Sequence, residues 1–591
     1  MRWMKGHVVG GLVLVAGSLL AGPARAVEPW SDPDPAHPPA RISLAPATVA
    51  PAAPAAPTAP AEGTPVPVTA VAPATPVPPS EPSGVGFRGG VEYRANVVSV
   101  TPLDLSGTRD RNFSIIEHRL RLDAAVDWED KVRIATSIDA LDGVLWGDNG
   151  TLGQAPEPSS GASVSTTNPN GATSCMTLRP GDPATEASSY HMGLCDGSPM
   201  FVRRLYGDLV TPVGLFRVGR QAYTEGASIA VNDGDGRRNR WGFARRGNSA
   251  DRVLFATKPL EAFKPPSMRD KSETRGVFLI LAYDRLVTDD PMRFKDDLHG
   301  TITAVRWLEP EHRYGGDLEV RAYHAYRFSG SNGTGVNALG ARVMTRLGKD
   351  FSVGAETSFV VGSTREIGEA FRVISNDPPV DQAVRQMGAR GVVRWDKKAL
   401  SLYFEADYAS GDSDPQTRTP LTQFRFAEDT NVGLLLFEHV LAYQSARTAA
   451  AGVALLKNLG ATTYPLEAVA TRGSFTNAFA IFPQVDVRPV KNLLLRGGML
   501  VAWAPAKVVD PIVSLQRRDG LKVEDDLVNF AGGPPGRFYG TELDLRIQYR
   551  MFEHFAADLE SAVLFPGSAL EDRNGDAARS FLLQARATFF L

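Results

Sequence analysis

Thr541-Glu542-Leu543-Asp544-Leu545-Arg546-Ile547-Gln548-Tyr549-Arg550-Met551 is the stretch that decides the fold of this chain. Glu542, Asp544, Arg546, Gln548 and Arg550 fall on one face, and Leu543, Leu545, Ile547, Tyr549 and Met551 on the other. A period of two marks a β-strand with one wet and one apolar face. Phe552-Glu553 reads as a tight turn into a second strand from about His554 to Phe565. A third strand runs from Phe581 to Leu591, setting Gln584, Arg586 and Thr588 against Ala585, Ala587, Phe589 and Leu591. The sequence ends inside this strand. Either a soluble antiparallel sheet finishes here on its own edge, or the strand closes a ring.

Working outward, the same alternation recurs along the chain. Strands are expected at 85–99, 112–127, 131–141, 201–210, 214–220, 250–257, 276–286, 299–308, 316–328, 336–346, 351–361, 386–396, 399–409, 476–488, 492–504, 538–550, 554–565 and 579–591. That is about 18, an even number, as a closed antiparallel barrel with both ends on one side requires. The connections alternate between short turns, such as Trp128–Lys131, Thr211–Gly214 and Asp396–Lys398, and long loops at 142–200, 221–249, 410–475 and 505–537. Lys258–Arg275 is too long for a typical short turn, so 16 strands is the alternative. Trp128, Trp307 and Trp395 precede short turns, while Trp146 and Trp503 sit at the opposite strand ends. Amphipathic rings at both rims suit two membrane interfaces.

Bulk properties agree with an all-β transmembrane barrel. The chain has 591 residues, 43% of them hydrophobic, with a net charge of −3, and gives no reason to expect a nucleic-acid partner. A mean hydropathy of −0.15 excludes a helical membrane bundle but suits a barrel with a polar interior. Residues 1–26 read as an export signal: Arg2 and Lys5, the apolar Val8–Leu20, then Ala24-Arg25-Ala26 as the cleavage site. Residues 27–83 are dominated by Pro and Ala, a composition that cannot bury a core and is expected to form a disordered periplasmic spacer. The barrel would occupy 84–591.

The interior positions of that barrel carry charges of both signs. They are Glu117, Arg119, Arg121 and Asp123; Asp317, Glu319 and Arg321; Glu405 and Asp407; Asp486 and Arg488; and Asp544 and Arg546. Such residues either line a path for a polar solute or neutralise one another as a solvated network. Loop 410–475 contains Val432-Gly433-Leu434-Leu435-Leu436-Phe437-Glu438-His439-Val440-Leu441, too apolar to hang in water. It is expected to fold into the barrel mouth as a constriction presenting Leu435, Phe437, Glu438 and His439, or else to contact lipid or a partner. Cys175 and Cys195 share one long loop of an exported chain and are expected to form a disulfide. Asp233 and Asp235, and Asp572, Asn574 and Asp576, have the oxygen spacing of calcium loops but no closing carboxylate, so turns explain them better. His118 and His324 lie on the lipid-facing parity, and no acyl-transfer signature accompanies them. No metal, cofactor or catalytic residue is expected.

Two passages carry a family likeness. Arg204-Leu205-Tyr206-Gly207-Asp208, with Thr211-Pro212-Val213-Gly214 and Val218-Gly219-Arg220-Gln221, resembles a hairpin of porin-like and alginate-export-like barrels. Tyr408-Ala409-Ser410-Gly411-Asp412-Ser413-Asp414, followed by Phe424, resembles a strand-to-loop passage of the same group. With Asn232-Asp233-Gly234-Asp235-Gly236 they are similar to a myxobacterial outer-membrane barrel family. The closing Thr588-Phe589-Phe590-Leu591 resembles the terminal strand by which such barrels engage the barrel assembly machinery, with Leu591 in place of the usual Phe. The resemblance implies an outer-membrane channel, surrounded by lipid, that passes or exports small polar solutes. The alternative is a closed structural or adhesive barrel whose loops bind partners.

Overall fold

The computed structural model describes residues 84–591 except 104, 106–112, 130, 148–199, 224–227, 232–238, 243–248, 271, 273, 286–298, 313–314, 331–332, 429, 446–470, 472, 517–535, 553 and 573. The expected export signal, the Pro/Ala-rich segment, Cys175, Cys195, Asp233 and Asp235 lie outside the described residues.

The strands are β1 (Val85–Thr101), β2 (Phe113–Trp128), β3 (Val132–Gly147), β4 (Met200–Thr211), β5 (Gly214–Ala222), β6 (Ser249–Thr257), β7 (Gly276–Arg285), β8 (His299–Glu309) and β9 (Leu318–Ser329), continuing with β10 (Thr334–Leu347), β11 (Phe351–Thr364), β12 (Gln382–Lys397), β13 (Leu400–Ala409), β14 (Ala478–Val490), β15 (Leu493–Trp503), β16 (Phe538–Met551), β17 (Phe555–Pro566) and β18 (Ser580–Phe590). Each pairs antiparallel with its sequence neighbours, and β1 pairs with both β2 and β18, so the 18 strands close into a ring. Closure runs from Thr101↔Phe581 to Glu92↔Phe590 and ends where Leu591 and Val91 exchange two backbone hydrogen bonds at 2.9 Å. A closed ring leaves no unpaired edge.

Alternation sorts the side chains. On β16 Glu542, Asp544 and Arg546 are buried, whereas Leu543 and Leu545 are exposed. Leucine, valine, phenylalanine and tryptophan are exposed all round the ring, and charged residues are buried inside it. Trp128, Trp307, Trp395 and Trp503 all take the outward parity of their strands, at the ends the sequence indicates.

The strands on either side of the long Lys258–Arg275 connection, β6 and β7, are both paired members of the 18-strand ring, which excludes the 16-strand alternative. The connection is a folded turn: a helical turn at Pro259–Ala262 is followed by the Pro265-Pro266 bend. Arg269 ties it down by donating to the carbonyls of Lys264, Ala262 and Pro212 at 2.7–2.9 Å. Among the described residues of the long loops are the helices α1 (Glu366–Ser375) and α2 (Pro511–Gln516), which pack together. The strand pattern does not announce α1, although Ile367, Phe371 and Ile374, all buried, have helical spacing. Asn376 ends α1 in the left-handed region at φ 58°.

Candidate functional site: the filled lumen

The inner wall is a belt of arginine–carboxylate pairs stepping from strand to strand. Arg119 reaches Glu92 at 2.7 Å, Arg121 reaches Asp139 at 2.6 Å, and Arg203 meets the same Asp139 at 3.2 Å. Arg217 binds Asp208 at 2.6 and 2.8 Å, and Arg252 binds Asp284 at the same two distances. Arg390 holds Asp407 at 2.6 Å, Arg496 holds Asp486 at 2.7 and 2.9 Å, and Arg546 holds Asp558 at 2.8 Å. Glu319 sits between Arg306, at 2.8 Å, and Arg321. Alternation puts the belt's arginines and carboxylates on the inner face of their strands, and antiparallel register then sets opposite charges side by side.

Two loops enter from the long-loop end and use this wall as their anchor. The first follows β5. Its Asn239-Arg240-Trp241-Gly242 segment lies against β14–β17, which are seven to nine places round the 18-strand ring from β6. It has therefore crossed the lumen. The Arg240 guanidinium donates to Gln484 at 2.9 Å and Asp486 at 3.0 Å and lies 3.9 Å from the Tyr403 ring centroid. Trp241 donates its indole N–H to Gln484 at 3.0 Å and stacks on Phe482. Arg546, at 2.9 Å, and Arg496 both donate to the Arg240 carbonyl, while Glu560 accepts the Gly242 amide at 3.0 Å. Gly242 has φ 65°, and a Cβ there would meet the Asn431 side chain, which itself donates to the Trp241 carbonyl at 3.1 Å.

The second loop lies between β13 and β14. Its entry is the Tyr408–Asp414 passage. Asp412 accepts the amides of Asp414 at 2.8 Å and Thr422 at 3.0 Å, folding the chain back so that Phe424 is fully buried. Burial pushes the Asp412 carboxyl up from its ordinary range, against the opposing effect of those two N–H donors. Further in, the Glu542 carboxylate of β16 accepts the amides of Leu434 at 2.7 Å, Leu435 at 2.8 Å and Leu436 at 2.6 Å. They lead into a wide helical turn, Leu436–Leu441, capped by Leu435, where amides lack partners within the turn. Gly433 makes the approach possible. Its φ is 75°, and a Cβ would come within 2.7 Å of Leu500 and 2.9 Å of Glu542.

Above the charged belt the filling is apolar. Phe426 and Phe437 each pack on Phe475 at 4.7 Å between centroids, and Leu434, Leu435 and Val440 join wall residues Leu500, Ala502 and Leu564 in one buried cluster. The two loops also hold each other. Thr430 donates to the Ser228 carbonyl, and Ala427 to the Ile229 carbonyl, both at 2.8 Å. Glu356 of β11 accepts the Ile229 amide at 3.2 Å and the Ser228 hydroxyl.

The residues singled out in the sequence fall as follows. Glu117, Arg119, Arg121, Glu319, Arg321, Glu405, Asp407, Asp486, Asp544 and Arg546 are buried on the inner face. Asp123 and Arg488 have inward parity on less covered stretches of β2 and β14, and Asp317 precedes β9 at the short-turn end, 3.7 Å from Arg346. Leu435, Phe437 and His439 are buried in the lumen, and Glu438 is partly buried beside them. Asp544 stands apart: it is 4% exposed, no described N–H reaches its carboxyl, and the groups facing it are the carboxyls of Glu542 and Glu560. Asp572 accepts the amides of Asn574 at 2.8 Å and Asp576 at 3.0 Å, as a turn residue does. Sequence reasoning missed Arg240, Trp241, Glu356 and Glu560. Trp241 was detectable as the one tryptophan past residue 83 placed at neither rim.

No family model matches the chain, and no curated protein matches it. Among solved structures it is similar to Pseudomonas aeruginosa OccK9 (OpdG), at 10% identity over 85% of this chain and 98% of that one, with a TM-score of 0.44. It is similar to Acinetobacter baumannii OccAB1 at 8% identity over 85% and 96%, with a TM-score of 0.45. It is also similar to the outer membrane protein OprD of Pseudomonas aeruginosa, at 9% identity over 85% and 93%, with a TM-score of 0.40.

Proposed function

We propose that this chain is an integral outer-membrane barrel that passes small polar solutes through a lumen narrowed by its two inserted loops. The observation that carries this reading is the inside-out sorting of the ring. Large apolar side chains are exposed on the outside while arginines and carboxylates are buried inside. A soluble fold would reverse that arrangement; lipid around a closed barrel stabilises it. A ring of 18 strands encloses more space than its own side chains fill, which leaves room for an aqueous passage and for loops to restrict it. On this reading the short turns face the periplasm, the long loops face outward, and β18 carries the assembly signal. Leu435, Phe437, Glu438 and His439 form the constriction. Glu117, Arg119, Arg121, Asp123, Asp317, Glu319, Arg321, Glu405, Asp407, Asp486, Arg488, Asp544 and Arg546 line the wall that solute meets.

A second reading, a closed barrel serving envelope structure or adhesion, is favoured by the mutual pairing of the wall charges and by the Phe424–Phe426–Phe437–Phe475 cluster across the mouth. Planar-bilayer recording separates the two. The channel reading expects the full chain to conduct and deletion of residues 428–450 to raise its conductance. An inserted, heat-modifiable barrel that conducts neither intact nor deleted overturns it.

A further inference from the structure

The outward face of β7–β9 carries, at its long-loop rim, a group of aromatic rings that suits a membrane interface together with an arginine and a histidine that an apolar band does not account for. Tyr283 lies two residues before the end of β7, His299 opens β8, and Phe328 is next to last in β9. Their rings form one continuous stack: Tyr283 on His299 at 6.0 Å and 27°, His299 on Phe328 at 5.5 Å and 21°, and Phe328 on Tyr326 at 5.4 Å and 20°. The Tyr283 hydroxyl and His299 Nδ1 are 2.7 Å apart. In the tautomer in which the phenol donates to Nδ1, the ring hydrogen is on Nε2, which has no partner among the described residues. Arg285 is the cross-strand partner of His299, exposed on the same face and likewise without a described partner. The acid opposite Arg285 on β6, Asp251, is engaged through both oxygens by Arg220 at 2.9 and 3.1 Å. Among the described residues the patch thus presents a guanidinium with no carboxylate on it and an imidazole nitrogen beside flat aromatic faces, at the strand ends where the long loops begin.

We infer that Arg285 and His299, held in this stack, bind the phosphate of a phosphorylated glycolipid headgroup in the external leaflet. The inference rests on the membrane reading above. A phosphate takes two parallel hydrogen bonds from a guanidinium and a further one from His299 Nε2, and the ring stack offers an apolar floor to the sugar that bears it. Tyr283 is a positioning residue that fixes which imidazole nitrogen donates.

The test measures the temperature at which the detergent-solubilised full chain loses its heat-modifiable, folded gel mobility. Four additions are compared: bisphosphorylated lipid A, its dephosphorylated form, inorganic phosphate and phosphatidylcholine. Lipid A is expected to raise the temperature, and the other three are not. Arg285→Gln and His299→Phe, the second of which keeps the stack, are expected to fold with the basal temperature unchanged and to bind lipid A roughly tenfold more weakly. Tyr283→Phe falls between them and the wild type. An equal rise in the Arg285→Gln/His299→Phe double variant overturns the inference, as does a rise with dephosphorylated lipid or with inorganic phosphate. A chain that is heat-modifiable but indifferent to lipid A overturns this proposal alone. A chain recovered folded in the soluble fraction overturns the membrane reading with it.

Discussion

The Glu542 carboxylate lies 2.8 Å from the backbone amide of Leu435, and through that contact a strand of the wall grips a loop inserted from the long-loop end of the barrel. The amides of Leu434 and Leu436 share the same two oxygens. Glu542→Ala would leave three buried N–H groups unsatisfied, at about 1–3 kcal/mol each. Residues 432–443 are expected to undock while β16 stays paired. Hydrogen exchange should show lost protection in that segment alone, and single-channel recording should show longer or wider openings. Glu542→Gln, which keeps one acceptor oxygen, should be milder. Unchanged protection in the Ala variant would mean that the apolar cluster alone holds the loop.

Trp241 anchors the other loop by area and one hydrogen bond. Trp241→Ala is expected to cost about 3–5 kcal/mol of docking free energy, because Phe482 loses its stacking partner and Gln484 a donor. Limited proteolysis within 223–248 should accelerate severalfold, with the gel mobility of the folded barrel unaffected. Asp486→Ala should act more broadly, since it strands both Arg240 and Arg496 in the interior. Removing one partner of a buried ion pair costs about 3–5 kcal/mol.

Asp544 gives the opposite expectation. Its carboxylate is buried without a donor, and its strand neighbours on the inner face are Glu542 and Arg546. Asp544→Asn replaces an acid that faces the carboxyls of Glu542 and Glu560 with an amide that can donate to them, so the barrel should gain about 1 kcal/mol. Thermal loss of folded gel mobility measures this, and a lower midpoint would show that Asp544 has a partner in solution.

The folded turn between β6 and β7 should respond to acid. Glu261 is held below its ordinary carboxylate range, first by the Lys264 ammonium at 2.8 Å and then by the Asp270 amide at 2.9 Å. A depressed pKa contributes stability that is present above the ordinary glutamate value, about 4.3, and is lost as pH falls through the lowered one. Exchange of the Asp270 amide should therefore speed up below roughly pH 4 beyond its intrinsic pH dependence. Glu261→Gln should remove that excess. Persistence of the excess in the variant would assign it to Asp270, whose own carboxyl is lowered chiefly by the Ser272 amide.

Read alone, the sequence determined the barrel. Alternation along Thr541–Met551 assigns Glu542, Asp544 and Arg546 to one face by a period that is local to the chain, and repetition of it with short and long connections leaves a closed antiparallel ring as the consistent solution. Apolar content was also local information, so Val432–Leu441 could be recognised as a segment unable to remain in water. What only the tertiary structure decided is where that segment goes and which groups receive it. Nothing in the spacing of Arg240 and Asp486, or of Gly242 and Glu560, marks them as neighbours, because each pair is joined by closing a ring of 18 strands and carrying a loop across it. Whether a wall arginine faces water, a carboxylate or a loop carbonyl depends on cross-strand register and on the contents of the lumen. Both are long-range quantities, set by the shape of the closed barrel rather than by the order of residues in any one strand.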